Sequence, residues 1–328
     1  MLNDNAYLLA NIFADDIKKA PTRDGFGTGV VEAGQADPNV VVLCADLKES
    51  TRAEEFEKAF PERFVEMGVA EQNMATVAAG MAAAGKIPFT TSYAMFNPGR
   101  NYEQIRTTIA LNRVPVKVCG MHAGVSVGPD GATHQMLEDI SMMRVVPGMT
   151  VIAPADAEEA RKAVLAAAKT DGPVYLRFGR AATPIFTTSE TPFEIGKALI
   201  LWESVVPKVA ILSTGSLTHV ALTAAKALAE SGIDSLVLHV PTIKPLDEEA
   251  VLDAATRAGR VLTVEEHQAA GGFGSAVAEF LSTRHPVPVH RLGIQDQFGQ
   301  SGSPEELLAH YGLDALHIEE AARALAGI

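Results

Sequence analysis

Short apolar runs alternate with alanine-rich stretches of helical period along the whole chain, and this alternation leaves few folds open. Residues 40–46 (VVVLCAD) read as a buried parallel strand and its end. Residues 69–84 (VAEQNMATVAAGMAAA) are small, apolar and periodic, which predicts a helix packed tightly on a neighbour. Residues 88–92, 114–119, 150–153 and 174–177 read as four more strands. A helix is expected over 157–169, with Asp156 as its cap and Glu159 in capping-box position. Residues 181–190 (AATPIFTTSE) are rich in Thr, broken by Pro and without period, so they read as a linker. Beyond them the pattern restarts, with strands at 209–213, 235–240, 261–264 and 287–292 and a helix over 217–231. Strands separated by helices of this length imply parallel sheets with right-handed crossovers. The expected fold is α/β: two consecutive doubly wound domains with mainly parallel sheets, residues 1–185 and 193–328.

Composition removes several functions. Lys and Arg number 27 against 40 Asp and Glu, a formal charge of -13, and no basic cluster with interleaved aromatics occurs. Nucleic acid is therefore not an expected partner. The two cysteines, Cys44 and Cys119, each lie in an apolar run. They are expected to be small buried hydrophobes, not a disulfide framework or zinc ligands. The first 20 residues carry acids and lack a long apolar core, so no signal peptide is expected. No apolar run approaches the roughly 18 residues of a membrane span, so no membrane partner is expected and the default compartment is the cytoplasm.

In open α/β sheets, ligands bind beyond the carboxyl ends of the strands. Glu71 begins the alanine-rich helix. It is either a helix-start acid favoured by the dipole or a carboxylate in a dry site that can share a proton. Tyr93 and Phe96, three apart after PFTTS, are either core or a stacking platform. The glycine-rich loop HAGVSVGPDGATHQ brings His122, Asp130 and His134 close in sequence, which favours function over structure. No further ligand has suitable spacing, so a metal site is not expected there. Arg23, the Ser50-Thr51-Arg52 run, Arg177 and Arg180 are singly salt-bridge arginines and, converged, a phosphate grip. In the second half, Glu265-Glu266-His267 precedes Gly271-Gly272-Phe273-Gly274, which is not a dinucleotide fingerprint. Residues 299–304 read as a turn and a helix cap. Neither a P-loop nor a G-x-S-x-G elbow is present.

Taken in order, the segments TRDGFGTGVVEAG, ADLKES, GVAEQNMATVAAGMAAAG, TTSYAMF, MHAGVSVGPDGATHQMLEDI, VIAPADAEEA, YLRFGR, EEHQAAGGFGSAV and DQFGQSGSPEELLAHYGL resemble the C-terminal half of transketolase over nearly the whole chain. That family uses thiamine diphosphate and has three α/β domains; this chain resembles the pyrimidine-binding and C-terminal ones alone. The resemblance implies transfer of a two-carbon ketol unit from a ketose phosphate to an aldose phosphate. It makes Glu71 the partner of the pyrimidine nitrogen, Phe96 and Tyr93 pocket walls, and Asp46 part of the loop between cofactor and substrate. Ser50, Arg23, His122 and either Arg177 or Arg180 would bind the substrate phosphate. Asp130 would read a sugar hydroxyl and His134 would lie near the reacting carbons. Two departures stand out: Gly99 where the family has a third aromatic, and Pro129 where it often has an acid. The missing first domain implies an N-terminal partner subunit that supplies the diphosphate site and Mg2+ (or Ca2+ or Mn2+), in an α2β2 heterotetramer formed with self-association. The rivals are 1-deoxyxylulose-5-phosphate synthase, whose loop usually has an acid at the position of His122, the 2-oxo-acid dehydrogenase beta subunit, which generally lacks the D-G-x-T-H-Q loop, and a non-catalytic assembly subunit.

Overall fold

The computed structural model describes all 328 residues. Its strands, in chain order, are β1 (Lys19–Ala20), β2 (Val40–Cys44), β3 (Phe64–Glu66), β4 (Ile87–Tyr93), β5 (Lys117–Met121), β6 (Thr150–Ile152), β7 (Val174–Arg177), β8 (Thr183–Pro184), β9 (Leu199–Trp202), β10 (Val209–Ser213), β11 (Ser235–His239), β12 (Thr242–Lys244), β13 (Val261–Gln268) and β14 (Val289–Ile294). Seven form one sheet in the order β12-β6-β7-β5-β4-β2-β3, and five form another in the order β14-β13-β10-β11-β9. Each sheet is parallel except for one edge strand, β12 in the first and β9 in the second. Every residue of β2, β5, β10 and β11 is buried, as strands with helices on both faces require.

Glycines set the tightest helix contact. The helix Thr22–Ala36 lies against the helix Ala157–Ala168, and a Cβ on Gly25 would fall 2.0 Å from the carbonyl oxygen of Ala157. A Cβ on Gly29 would fall 2.9 Å from that of Arg161. Only bare backbone on this face allows so close an approach, and that approach fixes Arg23 at the head of its helix.

The two sheets are not strung together by a loose tether. Strand β12, beyond the restart of the pattern, pairs antiparallel with β6 of the first sheet. In return, the N-terminal segment joins the second sheet: Asn3 donates to the Leu201 carbonyl, and Ala6, Ile12 and Ile17 pack in the core that contains Leu201, Ile211 and Leu262. The expected linker is itself held. Phe186 and Thr187 are buried, and both backbone N–H groups donate to Asp156 Oδ2. Asp156 caps its helix as expected, accepting from the Glu159 N–H at 2.9 Å. Glu159 does not complete a capping box, however; its carboxylate takes the Ala155 N–H and the ring of His239 instead.

Strands β3, β9 and β12 were not expected from the sequence. Their runs are short, and a backbone that lies at a sheet edge carries little of the apolar signature of a central strand. The sheet order places the change of direction between β2 and β4: the chain passes from β2 outward to β3, then returns to β4 on the other side. That is the topological switch point at which such sheets bind ligands.

Candidate active site

Glu71 is the first residue of the helix Glu71–Ala83, and only 1% of it is exposed. Ser92, near the end of β4, donates to Oε1 at 3.2 Å. Arg100 Nη1 donates to Oε2 at 2.7 Å. Asn101 Nδ2 reaches back to the main-chain carbonyl of Glu71, and Asn97 ties the same turn to the carbonyls of Thr90 and Cys119. The loop after β4 therefore grips the carboxylate and its backbone together. Serine, two asparagines and an arginine with no distinctive spacing give no signal in the sequence, so these supports are legible only in three dimensions.

Tyr93 and Phe96 lie at the end of β4 with their ring planes 11° apart and centroids 6.1 Å apart. The ring of His134 meets both edge-on, at 5.9 and 5.6 Å. His122, immediately after β5, packs on Tyr93 at 4.2 Å between centroids. The two aromatics thus belong to one cluster of four rings. The far aromatic wall is absent for a reason: a Cβ on Gly99 would lie 2.1 Å from the carbonyl oxygen of Met95, so the turn admits no side chain there. The guanidinium of Arg100 covers Phe96 instead, 4.5 Å from the ring centre.

Next to these rings is a cationic cluster. Arg23 Nη1 donates to the Ser50 carbonyl and to His122 Nε2, each at 2.8 Å. Because arginine can only donate, the proton of His122 is assigned to Nδ1. Burial, then the charges of Arg23 and Arg180, push the His122 pKa down to about 3, so the ring is neutral near pH 7. His122 Nδ1 and Arg23 Nε are both buried with no partner. Ser50 Oγ lies 3.3 Å from the Tyr93 hydroxyl. Asp130 pairs with Arg180 at 2.8 Å, and Arg180 also donates to the Val127 carbonyl. Asp46 is exposed at the end of β2 in a left-handed conformation (φ 58°), its N–H held by Glu66.

The two arginines of YLRFGR separate clearly. Arg180 belongs to the cationic cluster, its charge acting on His122, whereas Arg177 is 9% exposed and held elsewhere. Its Nε donates to Asp139 at 2.7 Å and its Nη2 to the Glu266 carbonyl at 2.8 Å, so it ties the two sheets together. The second half also supports the histidine loop. Gln135 donates to the carbonyls of Val125, Gly128 and Gln300. Ser303 and Glu306 form a full capping box on the helix Pro304–His310, as the sequence implied for this stretch.

The site residues are thus brought together from the segments that follow β2, β3, β4, β5 and β7 and from the head of the helix Thr22–Ala36. A family model described as transketolase, pyrimidine binding domain, matches residues 18–185, and one described as transketolase, C-terminal domain, matches residues 196–318. The chain belongs to the transketolase family. Among the relatives of this transketolase chain is the 6-deoxy-6-sulfo-D-fructose transketolase subunit SqwH of Clostridium sp., 41% identical over 92% of this chain and 92% of that protein. An apulose-4-phosphate transketolase subunit from Phocaeicola vulgatus is 39% identical over 89% of this chain and 93% of that one. A solved split gene transketolase, an inactive beta4 tetramer, superposes with a TM-score of 0.87 at 44% identity, over 94% of this chain and 98% of that chain. This transketolase chain thus has the fold and extent of a split subunit, and transketolases of its family depend on thiamine diphosphate.

Proposed function

We propose that this transketolase chain works with an N-terminal subunit to move a two-carbon ketol unit from a ketose phosphate to an aldose phosphate, and that its site takes the aminopyrimidine of thiamine diphosphate. One observation carries the reading: Arg23, Ser50 and His122, from three separate segments of the chain, meet beside the ring cluster that leads to Glu71, and two buried donors there lack partners. Residues 1–185 and 193–328 are the two functional units in this reading.

The residues fit the cofactor. A flat group bearing N–H donors already lies on Phe96 and on the Glu71 carboxylate, since the Arg100 guanidinium is such a group. When bound, thiamine diphosphate supplies the nucleophilic carbon and the electron sink. Glu71, its side chain 1% exposed, would hold the pyrimidine nitrogen by sharing a proton with it. Phe96 and Tyr93 hold the ring plane, and the loop of Asp46 lines the boundary with the substrate. Arg23, His122, Ser50 and Arg180 orient the sugar phosphate; a neutral histidine donating through Nδ1 adds a hydrogen bond without a full charge. Asp130 reads a sugar hydroxyl, and His134, against both aromatic rings, moves protons near the reacting carbons.

No group of three or more His, Cys, Asp or Glu side chains in this chain is placed to hold a metal, and Mg2+ (or Ca2+ or Mn2+) is assigned to the partner's diphosphate site. The chain pairs with itself and with that partner as α2β2. None of its helices is long and apolar enough to cross a membrane, and we place it in the cytoplasm, in pentose phosphate interconversion. Ketol transfer with thiamine diphosphate and Mg2+ tests the reading. The chain alone is expected to give negligible turnover, the complex full turnover, and the complex with Glu71→Ala less than a hundredth of it. Robust turnover without a partner, or undiminished turnover in Glu71→Ala, would overturn it.

A further inference from the structure

Arg100 lies on the two groups assigned to the aminopyrimidine. Its Nη1 is 2.7 Å from Glu71 Oε2, and its guanidinium carbon is 4.5 Å from the centre of the Phe96 ring. A guanidinium and an aminopyrimidine offer similar features to such a site: a flat face, delocalised electrons and in-plane nitrogens that share a proton with a carboxylate. Both cannot occupy one face of Phe96 and one carboxylate oxygen at once. Arg100 comes from the outside, with 44% of its side chain exposed, whereas the Glu71 side chain is 1% exposed. Its contacts could therefore be exchanged for water without opening the core.

We infer that Arg100 is a placeholder for the cofactor: it satisfies the buried Glu71 carboxylate and covers Phe96 while the site is empty, and it swings outward when the aminopyrimidine enters. The inference rests on the assignment of Glu71 and Phe96 to the pyrimidine pocket. Its consequence is a competition within the chain. The apparent affinity for thiamine diphosphate equals the intrinsic affinity reduced by the fraction of molecules in which Arg100 has moved away. A cation partly in water, paired with a buried carboxylate, holds the closed state only modestly, so the penalty is of order three- to tenfold.

The test is calorimetric titration of thiamine diphosphate, with Mg2+ present, into the subunit complex made with wild-type chain, Arg100→Ala, Arg100→Lys, Glu71→Gln and the Arg100→Ala/Glu71→Gln double variant. Arg100→Ala is expected to bind the cofactor about three- to tenfold more tightly, with the gain mainly in the association rate. Arg100→Lys should stay near wild type, because it keeps a cation within reach of Glu71. In the Glu71→Gln background, removing Arg100 should change affinity by less than half as much on a logarithmic scale, since the partner it competes for has lost its charge. Unchanged or weaker binding by Arg100→Ala would refute the placeholder and make Arg100 a permanent wall. An equal gain with and without the Glu71 carboxylate would also refute it. The underlying assignment fails separately, if Glu71→Gln keeps wild-type turnover.

Discussion

Two arginines three residues apart have opposite surroundings, and their removal should have opposite effects. Arg180→Ala takes a half-exposed cation from the cationic cluster, so the KM for a phosphorylated sugar should rise at least tenfold while stability to denaturant stays within about 0.5 kcal/mol of wild type. Arg177→Ala leaves Asp139, 0% exposed, without its counter-charge, and should cost about 3–5 kcal/mol in urea unfolding. The sequence could not choose between them, because register along YLRFGR decides which guanidinium looks into the site and which into the core. Burial likewise gives His122 and His267 pKa values of about 3 and about 4 in the folded chain, against an ordinary 6.5. Below pH 6.5 the unfolded chain takes up these protons first, so stability falls on acidification from 6.5 toward 4, by at most about 1.4 kcal/mol per pH unit for each histidine. Denaturant midpoints across that range should show a shallower slope for His267→Gln than for wild type. The residue types of the site are legible in the sequence, since Glu71 opens an alanine-rich helix and His122, Asp130 and His134 lie in a loop that its glycines mark. The supports are not: Ser92, Asn97, Arg100 and Asn101 act through placement rather than pattern.

At the level of elements, central strands and long helices were recovered from apolar runs and helical period, with ends displaced by a few residues. The predicted helix over 69–84 is Glu71–Ala83, and the predicted strand over 287–292 is Val289–Ile294. The displacement at 69–71 matters, because it makes Glu71 the first helical residue and leaves Val69 69% exposed ahead of it. The edge strands β3, β9 and β12 went unread because three- and four-residue runs carry no period. The segment 181–190 lies between the two sheets, as its reading as a linker requires, but it is held in place. Asp156 anchors it by accepting from the Phe186 and Thr187 N–H groups and the Thr187 hydroxyl. Asp156→Ala removes these acceptors together with the helix cap, and should lower stability by about 3 kcal/mol in chemical denaturation. A loss under about 1 kcal/mol would mean that the segment is held by its apolar contacts alone.

For the molecule as a whole, two sheets joined by a linker would ordinarily unfold as two domains. Here the Arg177 bond to the Glu266 carbonyl, the Gln135 bond to the Gln300 carbonyl and the β12–β6 pairing all cross between them. Scanning calorimetry should therefore record one cooperative transition. Expressed alone, residues 1–192 should be found in the insoluble fraction, because loss of β12 leaves β6 as a bare edge; a soluble, monomeric fragment with a sharp transition would contradict this.

The exchange between the sheets also runs in both directions. The first sheet is finished by a strand from the second half, and the core of the second is finished by the N-terminal arm. Recombination that replaced either half with that of a distant relative would have to match a strand and an arm at the same time. Each half thus carries part of the other's template, and neither is a self-sufficient unit of exchange.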